Sequence, residues 1–368
     1  MGVRYQRGLE CIAPYIPGKP IEEVKREYGL EDVIKLASNE NPLGPSPKAL
    51  VALQQALPNL NYYPDGQCFS LRQALSLHLQ VPPEQIAVSN GADGLILELC
   101  MAYLDEGSEV VVSRSSFPIY DLYTHAMRGT LIKTPTREYG LDLTAMADSI
   151  TERTRLVFVC NPNNPTGTVV GAGEVDDFIQ HVPEHVLIVL DEAYYHFVDT
   201  RDYPDSLRYI REGRPNVIVL RTFSKAYGLA GIRLGYGIAV PLLLDSIHKV
   251  REPFAVNLLA QAAGIGALND EEFLRQTLDI NAAGRRFFYQ EFQRMGLFFV
   301  PSHTNFVLVN VGRNATEVCK NLLKHGLIVR PGLAYDLPQF LRITVGTATQ
   351  NSRLVCALED VLLKTQLS

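Results

Sequence analysis

Five short runs constrain this chain most: IAVS (86–89), EVVVS (109–113), RLVFVC (155–160), VLIVLDE (186–192) and VIVLRTF (217–223). Each is continuously apolar instead of alternating apolar with polar. A strand of that kind has both faces buried, which is the condition inside a mostly parallel sheet covered by helices on both sides. Helix-like patterns separate the runs, among them GLILELCMAYL after the first, so the expected class is α/β.

The pattern changes further on. From about Asp270 to Met295 the sequence EEFLRQTLDINAAGRRFFYQEFQRM reads as one long helix. NFVLVNV (305–311), a helix near 314–325, LIVRPG, LRITVG (341–346) and a last helix follow it. That order predicts a smaller α+β unit, with the long helix as its connector. The expected division is a 1–44 segment packing with the small domain, a 45–280 large domain and a 281–368 small domain. The first 40 residues show little helical or strand periodicity.

Composition narrows the function. The chain has 368 residues, 46% of them hydrophobic, and its formal net charge of −6 argues against a nucleic-acid binder, which needs a basic face, and leaves room for a local basic pocket that takes a small anion. MGVRYQRGLE lacks an apolar h-region, and no apolar run approaches a membrane span. The six cysteines are scattered without a C-x-x-C pair, as in reduced proteins. No metal site is expected, and a cytoplasmic location is.

In an open α/β sheet, ligands gather at the carboxyl ends of the strands. IAVS leads there into Asn90-Gly91-Ala92-Asp93-Gly94, a helix start able to receive an anion. RLVFVC leads into NPNNPTG (161–167), an irregular loop that can present Asn164. VLIVL leads into Asp191, a carboxylate at a buried strand end, which needs a cation or a donor; Tyr194 follows. VIVLRTF leads into Ser224-Lys225, with Thr222 before and Arg233 after, a set suited to a phosphate. Among small neighbours a lysine can be desolvated and serve as a nucleophile. Singly, each of these is also what a turn or a solvated acid looks like. Together they are what pyridoxal 5′-phosphate requires: a lysine for its aldehyde, an acid for its ring nitrogen, a donor for its ring hydroxyl and a phosphate nest.

The chain resembles the fold-type I pyridoxal-phosphate aminotransferases, and among them the histidinol-phosphate aminotransferase family. The resemblance is carried in order by IAPYIPGKPIEEV (12–24), IKLASNENPLGPSPKAL (34–50), NYYPDG (61–66), NGADG, NPNNPTG, DEAYYHF (191–197), TFSKAYGLAGIRLGY (222–236) and LRITVGT (341–347). It implies that Lys225 bonds to the cofactor and moves the substrate's Cα proton, and that Asp191 keeps the ring nitrogen protonated. Asn164 and Tyr194 would bond the ring hydroxyl, and Phe117 would stack on the ring. Gly91, Ala92, Asp93, Thr222, Ser224 and Arg233 would hold the phosphate, with Tyr63 reaching across a homodimer to the partner's site. For substrate, the resemblance assigns the carboxylate to Arg342, the phosphate of histidinol phosphate to Tyr15 and Arg330, and a covering role to Asn39. Ser115-Ser116 departs from the family's usual proline-containing stretch before Phe117.

The implied reaction moves an amino group from a donor, glutamate, to a keto acceptor, imidazole acetol phosphate, and runs in either direction. An aromatic amino-acid transaminase is the alternative on the same fold. A decarboxylase of a phosphorylated amino acid is a more distant one.

Overall fold

The computed structural model describes residues 6–12 and 18–364. Its main sheet has seven strands, labelled here β1 (Ile86–Ser89), β2 (Glu109–Ser113), β3 (Thr130–Thr134), β4 (Thr154–Cys160), β5 (Leu187–Asp191), β6 (Val217–Thr222) and β7 (Gly235–Ala239). They lie in the order β1-β7-β6-β5-β4-β2-β3. All neighbours are parallel except β7, which runs against both β1 and β6.

Apart from the edge strand β3, almost every residue of these strands is buried, as continuous apolar runs demand. Val111, Val157, Ile188 and Val219 face one core, and Val110, Leu156, Val189 and Ile218 face the other. Each such side chain contributes roughly 1.5–3 kcal/mol when fully buried. Two strands are absent from the apolar-run reading, and each has a physical reason. TLIKT (β3) is half exposed and interrupted by Lys133. GYGIA (β7) carries glycines because the helix Gly91–Tyr103 packs against it: a Cβ on Gly235 would lie 2.4 Å from the Ala92 backbone nitrogen.

The long helix spans Glu271–Arg294 and buries Phe273, Thr277, Asn281, Arg285, Phe288 and Phe292 along one stripe. Its Phe288 and Phe292 enter a separate core with a four-stranded antiparallel sheet, β8 (Phe299–Val300), β9 (Phe306–Asn310), β10 (Arg330–Pro331) and β11 (Phe340–Thr344), in the order β8-β9-β11-β10. Helices Ala315–Lys324 and Ala348–Lys364 close that core.

The first 40 residues need a correction. Ile21–Tyr28 is a helix ended by Gly29 at φ 65°, and Ile34–Lys35 pairs in parallel with Leu327–Ile328. The helix sets Ile21, Val24 and Tyr28 at i, i+3 and i+7 among charged residues, a helical spacing confined to two turns and passed over when the segment is read as a whole. Among the described residues no helix is long and apolar enough to cross a membrane.

Candidate active site

A cavity of about 260 Å³ opens at the carboxyl ends of β4, β5 and β6, roofed by the 37–40 segment and by Arg330, Tyr335 and Arg342 from the C-terminal sheet region. Strand ends are where unsatisfied backbone groups and loop side chains converge, and the sheet register sets who faces whom: Cys160 lies opposite Asp191.

Asp191 is 3% exposed. Its carboxylate accepts the Tyr120 hydroxyl at 2.6 Å and the Ala193 N–H at 3.1 Å, and among the described residues no cation pairs with it. Burial pushes its pKa up to about 6, against the pull of those two donors. The next residue points to the other side of the sheet. There Glu192 binds Arg221 at 2.9 Å, and the guanidinium also covers the Tyr195 ring. Two adjacent acids are thus treated differently: one gets a buried cation, and the other keeps its negative charge turned to the cavity.

Lys225 reaches into the same cavity, its amine 3.3 Å from the Ser38 carbonyl and 5.6 Å from the centre of the Tyr194 ring. Burial, followed by the charge of Arg342, lowers its pKa to about 8, while Asp93 and Glu40 act the other way. About a tenth of the amine is therefore uncharged at pH 7, more than an ordinary lysine offers, and that form does nucleophilic or general-base work. The small residues that follow have a steric cause. Gly228 sits at φ 69°, and a Cβ there would come 2.0 Å from the Gly44 carbonyl oxygen, so the N-terminal segment rests directly on the lysine's loop.

The asparagine loop divides its labour. Asn161 exchanges bonds with the backbone of Val170, and Asn163 binds the Ser115 carbonyl and the Ser116 hydroxyl. Only Asn164 faces the cavity, where its Oδ1 accepts Arg342 Nη1 at 2.6 Å. Tyr194 is buried, its pKa raised by desolvation, and its hydroxyl accepts the Asn39 amide at 2.8 Å. Asn39 holds φ 57°, a conformation asparagine tolerates better than most residues, and its backbone is tied to Thr344 and Asn305.

At the other end lie Ala92, Asp93, Thr222, Ser224 and Arg233. Arg233 Nη2 stands 3.6 Å from the Asp93 carboxylate. Gly91 starts its helix at φ 82°, a conformation that favours glycine, and a Cβ there would lie 2.7 Å from that same Nη2 and push the guanidinium off the helix start. A helix N-terminus, two hydroxyls and a guanidinium form a donor set for a phosphate. Phe117 lines the cavity wall and meets Tyr120 edge-on.

Arg342 is 5% exposed and donates to Asn164, to the Tyr335 hydroxyl and to the Ala37 carbonyl, with no carboxylate partner among the described residues. It pairs across the β10–β11 ladder with Arg330, which also lines the cavity. Two guanidiniums in register on adjacent strands repel unless an anion lies between or near them.

The structure therefore gathers Asn39, Ala92, Asp93, Phe117, Asn164, Asp191, Tyr194, Thr222, Ser224, Lys225, Arg233, Arg330 and Arg342 around one cavity, with Gly91 behind Arg233. Tyr63 is not among them. It is 82% exposed and stacks on Phe254 at 4.6 Å. Tyr15 lies outside the described residues. Sequence reading missed Tyr120, Ser38 and Tyr335. Only Tyr120 left a signal, being one helical turn beyond Phe117.

The family model for class I and II aminotransferases matches residues 31–358. The histidinol-phosphate aminotransferase of Moorella thermoacetica is 51% identical over 357 residues, covering 97% of this chain and 92% of that protein. Histidinol-phosphate aminotransferase 2 of Carboxydothermus hydrogenoformans is 46% identical, covering 97% and 99%. Among solved structures, histidinol-phosphate aminotransferase from Sinorhizobium meliloti in complex with pyridoxal 5′-phosphate superposes with a TM-score of 0.92 at 31% identity, over 99% of both chains. The chain belongs to the histidinol-phosphate aminotransferase family of the class I and II aminotransferases.

Proposed function

We propose that this enzyme transfers the amino group between L-histidinol phosphate and 2-oxoglutarate, giving imidazole acetol phosphate and L-glutamate, with pyridoxal 5′-phosphate as cofactor. The observation that carries the reading is the conjunction in one cavity of a lysine whose pKa is lowered, a buried carboxylate and a buried guanidinium, the last two without an oppositely charged partner among the described residues.

The donor set fits the cofactor. The Gly91–Arg233 approach, with Thr222 and Ser224, suits its phosphate; Asp191 suits a protonated ring nitrogen; Asn164 and Tyr194 suit the ring hydroxyl; Phe117 suits the ring face. When bound, pyridoxal phosphate supplies an aldehyde that captures the amine and a ring that spreads charge from the substrate's Cα. Lys225 takes and returns the proton at that carbon, which its lowered pKa permits near neutral pH. Asp191 holds a proton-bearing nitrogen by charge, since among the described residues no cation pairs with its carboxylate. Arg342 and Arg330 orient the anionic end of either substrate, and Asn39 covers the site from the N-terminal segment.

The same reading gives a homodimer. Tyr63, Phe254, Leu60, Tyr62 and Phe69 are large apolar side chains left in solvent on neighbouring stretches of the chain, and a second copy is the partner that would cover them. Tyr63 is then the residue delivered to the partner's phosphate site, with Tyr15 helping to grip the substrate phosphate. The 1–44, 45–280 and 281–368 division, with the long helix as connector, and a cytoplasmic location belong to this proposal.

A single-turnover absorbance titration tests it. Histidinol phosphate at low concentration should convert the yellow cofactor-bound enzyme to its amine form, with phenylalanine needing far more. A preference for phenylalanine would transfer the assignment to aromatic transamination, and carbon dioxide release from an added phosphorylated amino acid would transfer it to decarboxylation.

A further inference from the structure

Tyr335 ends a short 3₁₀ turn, Gly332–Tyr335, whose first glycine is packed so closely that a Cβ would lie 2.3 Å from the Leu337 carbonyl oxygen. The turn is fixed from the large domain as well, because Ser115 Oγ donates to the Tyr335 carbonyl at 3.0 Å. This gives a use to one of the two serines that depart from the family's proline-containing stretch. The side chain is 4% exposed, lines the cavity and accepts Arg342 Nη1 at 3.0 Å. Among the described residues nothing accepts the phenol's own proton.

A hydroxyl held by its oxygen, next to an arginine with no carboxylate partner among the described residues, has its proton free for whatever anion that arginine binds. A carboxylate offers two oxygens, which one planar guanidinium can satisfy side by side. A phosphate monoester offers three terminal oxygens, each able to accept more than one hydrogen bond, so it takes up donors beyond Arg342, a neighbouring hydroxyl as well as Arg330. We propose that Tyr335 is a specificity-determining residue of this site: its hydroxyl donates to the phosphate oxygen left unsatisfied by Arg342, favouring a phosphate-bearing substrate over a purely carboxylate-bearing one. This rests on the transamination reading for the identity of the substrates but not for the anion preference itself.

The test uses the cofactor-loaded enzyme and Tyr335→Phe, which keeps the ring and removes the hydroxyl. Dissociation constants are read from the cofactor's absorbance for histidinol phosphate and glutamate, and by calorimetry for inorganic phosphate and succinate. The expected result is binding of histidinol phosphate and inorganic phosphate weakened by about tenfold, as for loss of a hydrogen bond to a charged group. Glutamate and succinate should change less than about threefold, and kcat should change less than KM. Because the ratio between two anions is read in the same variant, a general loss of folded protein cannot imitate it. Equal weakening of both anion classes would overturn the proposal, leaving the hydroxyl as a mere support for Arg342. No change in either would overturn it too. If wild-type enzyme ignores histidinol phosphate yet the inorganic phosphate arm shows the selective loss, the substrate assignment fails and the role of Tyr335 stands.

Discussion

The Tyr120 hydroxyl donates to Asp191 Oδ2 at 2.6 Å, and the tyrosine behind it is wholly buried and stacked on Phe158 at 4.3 Å. Its ring is wedged in the core, so the hydroxyl has one position, and it is aimed at the acid. Replacing it removes one of the two donors that hold the carboxylate ionised, so Asp191 should titrate above about 6. Tyr120→Phe should bind pyridoxal phosphate about tenfold more weakly at pH 7 and approach wild type at pH 9, where the acid ionises regardless. Equilibrium dialysis at the two pH values decides; a pH-independent change would contradict this role.

Asp191 also weighs on stability. Its pKa rises from 3.8 to about 6 on folding, so in that window the folded chain keeps a proton that the unfolded chain has released. Stability contributed by this group therefore falls as pH rises through the window, and the full cost, roughly 3 kcal/mol, stands above it. Asp191→Asn should make the cofactor-free protein more stable to urea at pH 8, with the advantage gone near pH 4, while abolishing transamination. A lower urea midpoint at pH 8 would rule the account out.

Lys225 titrates in the opposite sense. With its pKa lowered to about 8, the neutral amine becomes the major form above that pH. Capture of pyridoxal phosphate by the cofactor-free protein, trapped with borohydride and located by peptide mapping, should speed up about tenfold per pH unit below the midpoint and level off above it. A midpoint near the ordinary lysine value would show that the amine is not desolvated. Lys225→Ala should trap nothing at this position.

The exposure of Tyr63 makes a claim about sharing. If its ring serves the neighbouring subunit, Tyr63→Ala and Lys225→Ala damage opposite sites. Mixed and allowed to exchange, the two inactive variants should regain about one quarter of wild-type activity, since half the dimers are hybrids with one intact site each. Activity that stays at the level of the separate variants would place Tyr63 in its own subunit's chemistry or in none.

The buried strands were legible because their environment is uniform: apolar on both faces leaves one kind of sequence. Position β7 was hidden for the converse reason, since close packing of a helix demanded glycine where a strand ordinarily has β-branched residues. In the site, side chains with distinct chemistry at strand ends, such as Asp191 and Lys225, stood out. Tyr120 and Tyr335 did not, because an aromatic residue in a helix or after a proline reads as core until its hydroxyl is given a partner. The Glu192–Arg221 pair was equally silent: only the alternation of side chains along β5 and β6 reveals that neighbouring residues in sequence serve opposite faces.

Strand β7 runs against its neighbours, and so the chain leaves β6 and begins β7 on the same rim of the sheet. Everything in segment 223–234 must stay on that rim, held at its two ends by Phe223 N–H to the Leu234 carbonyl. Ser224, Lys225 and Arg233 are thus borne by one closed loop, and the separation of amine from guanidinium is a local dimension of that loop. Movements of the C-terminal sheet toward or away from the cavity leave it unchanged, whereas an insertion of even one residue between Ala226 and Ile232 would alter it directly.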